Sequence, residues 1–288
     1  MAANPKPVTV ACVRGRKSAG GAVTMLTAYD TPTARILDEA GVDVLLVGDS
    51  LGMVVLGYPT TIPVTLDEMI HHTRAVSRGA RRALVVGDMP YGSYHASTED
   101  AVRSGIRFLK EGGAAAVKVE GGRVRIGVVR ALIEAEIPVM GHVGLTPQSV
   151  HRFGGYKVQG KRVEEAVAIV EDALELERAG VFAIVLEGVP SQLARIVTER
   201  VEVPTIGIGA GPWCDGQVLV THDMLGIGDF RPLFVRLYAE IGKEMRAAVG
   251  RYCDDVRARS FPSPEESHHL DTETLRELEE RLGARSAR

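Results

Sequence analysis

The sequence predicts a (β/α)8 barrel, and two observations lead to that prediction. Four short apolar segments each end in a carboxylate, at Asp49, Asp88, Glu120 and Glu187. Apolar runs of this length are typical of strands buried on both faces, and an ionised group has no packing role at their ends. In addition, eight strand-then-helix units fit into about 230 residues, close to the ~250 residues of a barrel whose strand ends build the active site.

The predicted elements alternate along the chain. Strands are predicted over 23–28, 43–48, 83–87, 115–119, 138–142, 182–187, 204–208 and 218–221. Helices are predicted over 31–40, 67–78, 97–110, 123–135, 163–178, 191–199 and 231–249. The candidate N-caps are Thr65 or Asp67, Ser97 and Ser191, because their side chains can accept from free helix N–H groups. Gly41 is a typical helix stop.

Two long loops, 51–66 and 144–161, interrupt this alternation. Loops of that length inside a compact domain are usually functional, so we expect them to form walls or a lid of the site. A doubly wound open sheet is the rival fold, but its first turn usually carries a glycine-rich phosphate fingerprint. The turn after the first strand, Tyr29–Pro32, has none. The later stretch Gly207–Gly211 fits a close approach between loop and backbone at least as well as anion binding.

The two ends of the chain stand apart from the barrel pattern. Residues 1 to about 20 are polar and basic, and we expect an N-terminal capping segment with a short helix at the bottom of the barrel. A proline break near residue 262 divides the chain into a predicted catalytic domain, 1–262, and a charged tail, 263–288. The tail is predicted to be partly helical, from Asp271 to Leu282, and this helix either packs on the barrel or another subunit or stays solvated.

Composition excludes several classes of partner. The 288 residues carry a formal net charge of −3 with acids and bases mixed, so there is no basic footprint for nucleic acid. No apolar run approaches the ~20 residues that cross a bilayer, and the start of the chain lacks the apolar core of a signal peptide. The three separated cysteines, Cys12, Cys214 and Cys253, suggest reduced packing residues in a cytoplasmic protein.

The carboxylates at the strand ends predict a metal site. Asp49, Asp88 and Glu120 would repel one another and raise each other's pKa unless a cation lies between them. An all-oxygen set favours Mg²⁺, Mn²⁺ or Ca²⁺ over zinc. The alternative is that one or more of these acids pairs with Lys118, an arginine or a helix N-terminus. Lys118 and Glu120 lie two residues apart and therefore on the same face of their strand.

A bound divalent cation would leave open positions for a 2-oxo acid and would stabilise its enolate. Glu187 would then be the base at the neighbouring carbon, or else a solvated turn carboxylate. Lys118 would neutralise the substrate, or pair with Glu120. Ser50 would donate to the substrate carboxylate, or cap a helix or a turn. His142 would orient substrate or relay a proton, or be a hydrogen-bonded core histidine.

Five motifs, taken in chain order, resemble those of the ketopantoate hydroxymethyltransferase family. They are Val47-Gly48-Asp49-Ser50-Leu51-Gly52-Met53, Lys118-Val119-Glu120-Gly121-Gly122, Gly141-His142-Val143-Gly144-Leu145-Thr146-Pro147-Gln148, Phe153-Gly154-Gly155-Tyr156-Lys157-Val158-Gln159-Gly160 and Gly207-Ile208-Gly209-Ala210-Gly211 with Asp215-Gly216-Gln217. The similarity runs from about residue 8 to residue 262 and leaves the tail outside. Motifs of this length are far more specific than a lone glycine pattern.

The resemblance implies a (β/α)8 barrel that binds Mg²⁺ and transfers a one-carbon unit from 5,10-methylenetetrahydrofolate to 3-methyl-2-oxobutanoate. The product would be 2-dehydropantoate, on the route to pantothenate and coenzyme A. The resemblance also implies that Asp49 and Asp88 bind the metal, with Glu120 completing its shell. The oxo acid would contact Asp49, Ser50, Asp88 and Lys118, and Glu187 would accept the proton. A homodecamer is implied as well.

Two other functions remain open from the sequence. A Mg²⁺-dependent lyase or mutase of oxo acids could share the metal site without needing folate; many such enzymes use a catalytic cysteine, and Cys214 has no obvious acid–base setting. A non-catalytic metabolite-binding barrel would bind metal without turnover, yet it would not need acids at four strand ends. A folate requirement in an activity assay would separate the first alternative, and turnover would exclude the second.

Overall fold

The computed structural model describes residues 6–228 and 231–283, and in these ranges eight parallel strands close into one barrel in chain order. The strands are β1 Val23–Thr27, β2 Val44–Val47, β3 Leu84–Asp88, β4 Ala116–Glu120, β5 Val139–Gly144, β6 Ala183–Glu187, β7 Thr205–Ile208 and β8 Gly216–Leu219. The barrel closes because β1 pairs with both β2 and β8. The predicted fold class is therefore confirmed.

Helices connect these strands and continue beyond the last one. They are α1 Val10–Arg14, α2 Thr31–Glu39, α3 Leu51–Val54, α4 Leu66–Gly79, α5 Thr98–Lys110, α6 Ile126–Glu134, α7 Val150–Phe153, α8 Val163–Ala179, α9 Ser191–Thr198, α10 Thr221–Met224, α11 Ile241–Ala258 and α12 Thr272–Leu282. Single 3-10 turns occur at Arg123–Arg125, Pro147–Ser149 and Pro264–Glu266. No helix of the described residues is long and apolar enough to span a membrane.

The strands separate two apolar cores, which fixes where polar side chains can go. Alternate residues of β4, Val117 and Val119, pack in the core between the strands and the helices. Ala116 instead packs in the core inside the barrel. Because side chains alternate along a strand, Lys118 and Glu120 lie on the inner face with Ala116, as predicted.

The two long loops were predicted without secondary structure, and this was wrong in part. The first contains α3, in which the Val54 N–H donates to the Ser50 carbonyl at 3.1 Å. The second contains the 3-10 turn Pro147–Ser149 followed by α7. Helices of three or four residues complete at most one turn, so they leave no apolar period for a sequence pattern to reveal.

The helix caps agree with the predictions at two of three places. Thr65, rather than Asp67, caps α4 and forms a capping box with Glu68. Ser97 accepts from the Asp100 N–H at the start of α5. Ser191 is not a cap, because Pro190 occupies that position and Ser191 is the first residue inside α9.

The last predicted strand and helix were both misplaced. Strand β8 ends at Leu219, and Thr221 already begins α10. The Thr221 hydroxyl donates to the Thr27 carbonyl at 2.6 Å, which ties α10 to the end of β1. The helix expected from residue 231 begins at Ile241 instead, and a turn at Pro232 precedes it, where the Val235 N–H donates to the Pro232 carbonyl.

The chain divides into two compact units, with the first ending at Ala239 and the second beginning at Glu240. In the first unit, the segment after α1 lies at the N-terminal end of the barrel, since Arg16 pairs with Asp43 at 3.0 Å and Lys17 with Asp215 at 3.2 Å. Both aspartates come just before a strand, so the predicted capping segment is found opposite the acidic strand ends.

The second unit contains α11, α12 and the 3-10 turn between them. The tail helix predicted to begin at Asp271 is α12, with Asp271 as its N-cap. One side of α11 is apolar and exposed, and it consists of Ile241, Met245, Val249, Tyr252 and Val256. The division of the chain into a 1–262 catalytic domain and a 263–288 tail stays a prediction.

Candidate active site

One cavity of about 400 Å³ lies at the C-terminal end of the barrel, and all the residues predicted for the site line it. They are Asp49, Ser50, Asp88, Lys118, Glu120, His142 and Glu187. These residues belong to five neighbouring strands, β2 to β6, or directly follow them. The barrel therefore brings together all seven side chains, although the role of each stays a prediction.

Lys118 is the cation at the centre of this cavity. Its Nζ lies 2.8 Å from Asp88 Oδ1 and 3.7 Å from Glu120 Oε1. Burial alone would lower the pKa of Lys118, but the carboxylates of Asp88, Glu120 and Asp49 outweigh burial and raise that pKa above its usual range. Lys118 is therefore a fixed positive charge. The ion pair with Glu120 that the sequence left open is present, and Lys118 also forms an ion pair with Asp88.

The acids around Lys118 outnumber it. Burial and the neighbouring Asp88 carboxylate raise the pKa of Asp49 to about 8. Burial also raises the pKa of Glu120 well above its usual range, against the opposing charge of Lys118. Lys118 alone would compensate these acids only in part if all of them were ionised, which is the electrostatic condition that favours a bound cation.

The donor set fits a hard divalent ion that keeps part of its own shell. Asp49, Asp88 and Glu120 offer only oxygen ligands. Among residues 6–228 and 231–283, no three acidic, histidine or cysteine side chains form a ready-made cage. An ion here would therefore take some ligands from water or substrate, as Mg²⁺ usually does.

His142 connects the lysine to the predicted base. Its Nδ1 lies 3.2 Å from Lys118 Nζ, and its Nε2 lies 3.4 Å from Glu187 Oε2. Burial and the charge of Lys118 hold the pKa of His142 well below its usual value, so the ring is neutral. Since Lys118 can only donate, we assign Nδ1 as the acceptor and place the ring proton on Nε2, facing Glu187.

Glu187 ends β6 with a carboxyl group suited to proton transfer near neutrality. Burial raises its pKa to about 7, against the opposing charge of Lys118. The backbone packs closely at this point, because the Leu145 N–H donates to the Glu187 carbonyl at 2.8 Å. Gly144 has a φ of +96°, and a Cβ there would lie 2.3 Å from the same carbonyl oxygen, so the end of β5 requires glycine.

Ser50 follows β2 and faces the cavity with its hydroxyl already engaged. Its Oγ lies 2.9 Å from the Tyr29 hydroxyl. The Ser50 side chain makes no capping hydrogen bond to α3, so the alternative role of a helix cap is not supported.

Side chains from both long loops form the outer part of the cavity, as predicted. Met53, Val54 and Thr61 come from the first loop, and Leu145, Pro147, Tyr156, Lys157 and Val158 come from the second. The wall also includes Asp223 and Phe234, which the sequence did not indicate.

Two buried residues behind the wall were also missed, namely Tyr94 and Gln148. Gln148 falls within a motif quoted above, but nothing in its chemistry suggested a role there. Tyr94 follows β3 in a segment whose pattern gave no signal.

Cys214 does not behave as a catalytic thiol. It lies beside a different cavity, of about 1000 Å³, which runs along β1 and β8. Burial raises the pKa of Cys214, so its thiol is not activated as a thiolate. This disfavours a lyase mechanism that depends on this cysteine.

Comparison with known proteins gives one consistent family. The family model for ketopantoate hydroxymethyltransferase matches residues 7–264. A 3-methyl-2-oxobutanoate hydroxymethyltransferase of Koribacter versatilis is 54% identical over 273 residues, covering 94% of this chain and 92% of that protein. The protein of the same name from Syntrophomonas wolfei is 54% identical over 272 residues, covering 94% of this chain and 99% of its own length.

Solved structures with the same fold are far more distant in sequence. A phosphonopyruvate hydrolase in complex with oxalate and Mg²⁺ has a TM-score of 0.60 at 12% identity, covering 95% of this chain and 96% of its own. A 2,3-dimethylmalate lyase, a PEP mutase/isocitrate lyase superfamily member, has a TM-score of 0.58 at 17% identity, covering 96% and 98%. At such identities the likeness concerns the fold alone.

Proposed function

This chain belongs to the ketopantoate hydroxymethyltransferase family, whose reaction forms ketopantoate, and we propose how its cavity carries that reaction out. The substrates are 3-methyl-2-oxobutanoate and 5,10-methylenetetrahydrofolate, and the products are 2-dehydropantoate and tetrahydrofolate. The observation that carries this proposal is a partly buried acid of near-neutral pKa, Glu187, in one cavity with a fixed ammonium, Lys118, and three further carboxylates. An oxo acid next to such a set can lose a proton from the carbon beside its carbonyl.

Asp49, Asp88 and Glu120 would hold Mg²⁺, with water or substrate supplying the other ligands. When bound, the ion would act as a Lewis acid toward the keto oxygen of the substrate. Lys118 adds a permanent positive charge beside the negative charge that develops there. The Ser50 hydroxyl lies on the same wall and can donate to the substrate carboxylate.

Glu187 removes the single proton from C3 of the oxo acid. The neutral His142 ring lies beside this base, with its Nε2 3.4 Å from Glu187 Oε2. The carbanion then bonds to the methylene carbon carried by the folate. Over the whole reaction both carbon–nitrogen bonds of the methylene group break, one water provides the product hydroxyl, and tetrahydrofolate takes two protons, one from C3 and one from water.

The folate would occupy the outer, apolar part of the cavity. Met53, Val158 and Phe234 offer apolar surface there, and Tyr156 offers an aromatic ring. Lys157 lies at the same wall and is exposed, where it can meet the glutamyl carboxylates of the folate. The proposal places the folate between the two loops that the sequence singled out.

We also propose a homo-oligomer, in line with the decamer that the family resemblance implies. The apolar side of α11 is the surface that supports association, since exposed apolar patches of this kind usually mark contacts. A cytoplasmic location is proposed because the three cysteines of the described chain are all free thiols.

Proton exchange tests the proposed chemistry without the folate step. The protein is incubated with 3-methyl-2-oxobutanoate and Mg²⁺ in D₂O, and the C3 proton is followed by NMR. We expect exchange that requires Mg²⁺ and falls by roughly 10²–10⁴-fold in Glu187→Gln, because general-base catalysis contributes that much. Glu202→Gln changes an exposed glutamate in the same way and should exchange normally.

A second arm tests the one-carbon donor. Formation of 2-dehydropantoate should require 5,10-methylenetetrahydrofolate, and tetrahydrofolate should not replace it. If the parent protein shows no exchange, the measurement is repeated with tetrahydrofolate present. Absence of exchange there as well would overturn the proposal, and exchange that Glu187→Gln retains would remove Glu187 as the base.

A further inference from the structure

A buried amide contacts one of the proposed metal ligands. Gln148 lies in the 3-10 turn after β5, and its side chain is shielded from solvent. Its Nε2 donates to Asp49 Oδ2 and to the Met89 carbonyl, both at 2.9 Å. Its Oε1 accepts from the Tyr94 hydroxyl at 2.6 Å. Both the nitrogen and the oxygen of the Gln148 amide therefore have hydrogen-bond partners.

These partners determine which way the amide points. A carboxylate and a backbone carbonyl can only accept, so the NH₂ group must face Asp49 and Met89. A flipped amide would place its oxygen against both of those acceptors. Tyr94 then has to supply its proton to Oε1, and its hydroxyl is protonated, since burial and the Glu120 charge raise the pKa of Tyr94 well above its usual value. Tyr94 is thus the donor to Gln148, and Gln148 is in turn the donor to Asp49.

The backbone of Gln148 reaches a second proposed ligand. Its N–H donates to Glu120 Oε2 at 3.1 Å. One residue therefore engages one oxygen of Asp49 and one oxygen of Glu120. The other oxygen of Glu120 faces Lys118 and His142.

Tyr94 is itself held in place from two sides. The Arg125 guanidinium lies 5.6 Å from the centre of its ring, and the His95 ring lies 4.2 Å away. Neither Tyr94 nor Gln148 is part of the cavity lining, so both lie behind it, buried. They can thus act on the reaction only through the residues that they touch.

We propose that Gln148 and Tyr94 are positioning residues that fix the Asp49 carboxylate for the divalent cation. The proposal rests on the metal site of the proposed function. Gln148 satisfies one oxygen of Asp49 and leaves the other available for the ion, and Tyr94 fixes the amide that does so. Partners of this kind orient metal ligands, and their loss typically weakens metal binding by about 10–100-fold.

The competing interpretation is that these hydrogen bonds only tie two loops together. Such a tie would affect stability but would leave metal affinity unchanged in protein that still folds. Metal affinity of the metal-free protein therefore separates the two interpretations, whereas catalytic activity alone does not.

The experiment titrates metal-free protein with Mn²⁺ and follows the free ion by its EPR signal. Gln148→Met keeps the side-chain length and removes the amide, and we expect the Mn²⁺ Kd to rise about 10–100-fold. Tyr94→Phe removes one hydroxyl and should raise the Kd about tenfold, the lower end of that range. Gln192→Met, at an exposed position, is the matched control and should not change the Kd. Thermal unfolding in EDTA checks that each variant is folded.

The double variant adds a sharper test. Because Tyr94 is proposed to act through Gln148, the double variant should bind Mn²⁺ as weakly as Gln148→Met alone, rather than tenfold more weakly still. Folded variants that bind Mn²⁺ within about twofold of the parent would overturn the proposal. If Gln148→Met does not fold, Tyr94→Phe alone decides the matter. A parent protein that binds no Mn²⁺ would instead remove the metal site itself, and with it this inference.

Discussion

At the scale of single residues, environment rather than residue type sets the chemistry. Glu120 and Glu187 are both glutamates at strand ends, and burial raises the pKa of both, but neighbouring carboxylates raise the pKa of Glu120 further. Glu120 lies among Lys118, Asp49 and Asp88, whereas Glu187 faces the neutral His142. The sequence identified both acids, but it could not assign them different protonation behaviour, because burial and neighbours shift a pKa.

The near-neutral pKa of Glu187 predicts a pH profile for proton exchange. Only the ionised carboxylate accepts a proton, so the exchange rate should rise tenfold per pH unit below the pKa and level off above it. The pKa of Glu187 is about 7 in the metal-free protein, so the rising limb of the pH profile should lie near neutrality. A bound cation stabilises the carboxylate, so saturating Mg²⁺ should move the limb to lower pH. Initial rates between pH 5 and 9 at two Mg²⁺ concentrations measure this.

Glu187→Gln supplies the control for that profile, since it has no carboxyl group to titrate at this position. A rate that does not change with pH over this range would contradict the assignment of Glu187. A limb that moves to higher pH when Mg²⁺ is added would contradict the electrostatic reasoning.

At the scale of the elements, close packing between strands and helices holds the acids in place. Gly87 precedes Asp88 in β3, and a Cβ at Gly87 would lie 2.3 Å from a ring carbon of Phe108 on α5. Gly141 precedes His142 in β5, and its Cβ would lie 2.8 Å from Leu176 on α8. In both cases a glycine next to a site residue lets a helix side chain approach the strand.

We therefore predict that Gly87→Ala destabilises the protein. The added methyl group overlaps a fully buried ring, and overpacking of this kind typically costs about 1–3 kcal/mol. Gly127→Ala is the control, because apart from the chain neighbours and the backbone of its own helix no heavy atom lies within 4 Å of the new Cβ, and alanine favours the helix. Chemical denaturation at one fixed protein concentration measures both. A Gly87→Ala variant as stable as the parent would show that Phe108 moves aside without cost.

At the scale of the whole molecule, the barrel accounts for the site, and the second unit provides a surface for association. The apolar positions of α11 recur every three or four residues and stay exposed. Such a pattern normally packs against something. Association of copies of this chain would bury it.

Replacing Val249, in the middle of that apolar side, tests this. Val249→Asp places a charge that would have to be desolvated on association, so the mass in solution should fall. Ala247→Asp adds the same charge on the opposite side of α11 and should leave the mass unchanged. Sedimentation velocity measures both variants. If Val249→Asp kept the parent mass while the parent is oligomeric, the contact would lie elsewhere.

The sequence by itself determined the barrel, the strand ends and seven of the side chains that line the cavity. Apolar runs, helix stops and carboxylates are local signals, and a closed parallel barrel brings strand ends to one rim. Only the tertiary structure decided the ion pair of Lys118 with Asp88, the start of α10 at Thr221, and the hydrogen bond between Gln148 and Asp49. Gln148 and Asp49 are 99 positions apart in the sequence. Their contact exists only once the barrel has closed, so no periodic pattern in the sequence can predict it.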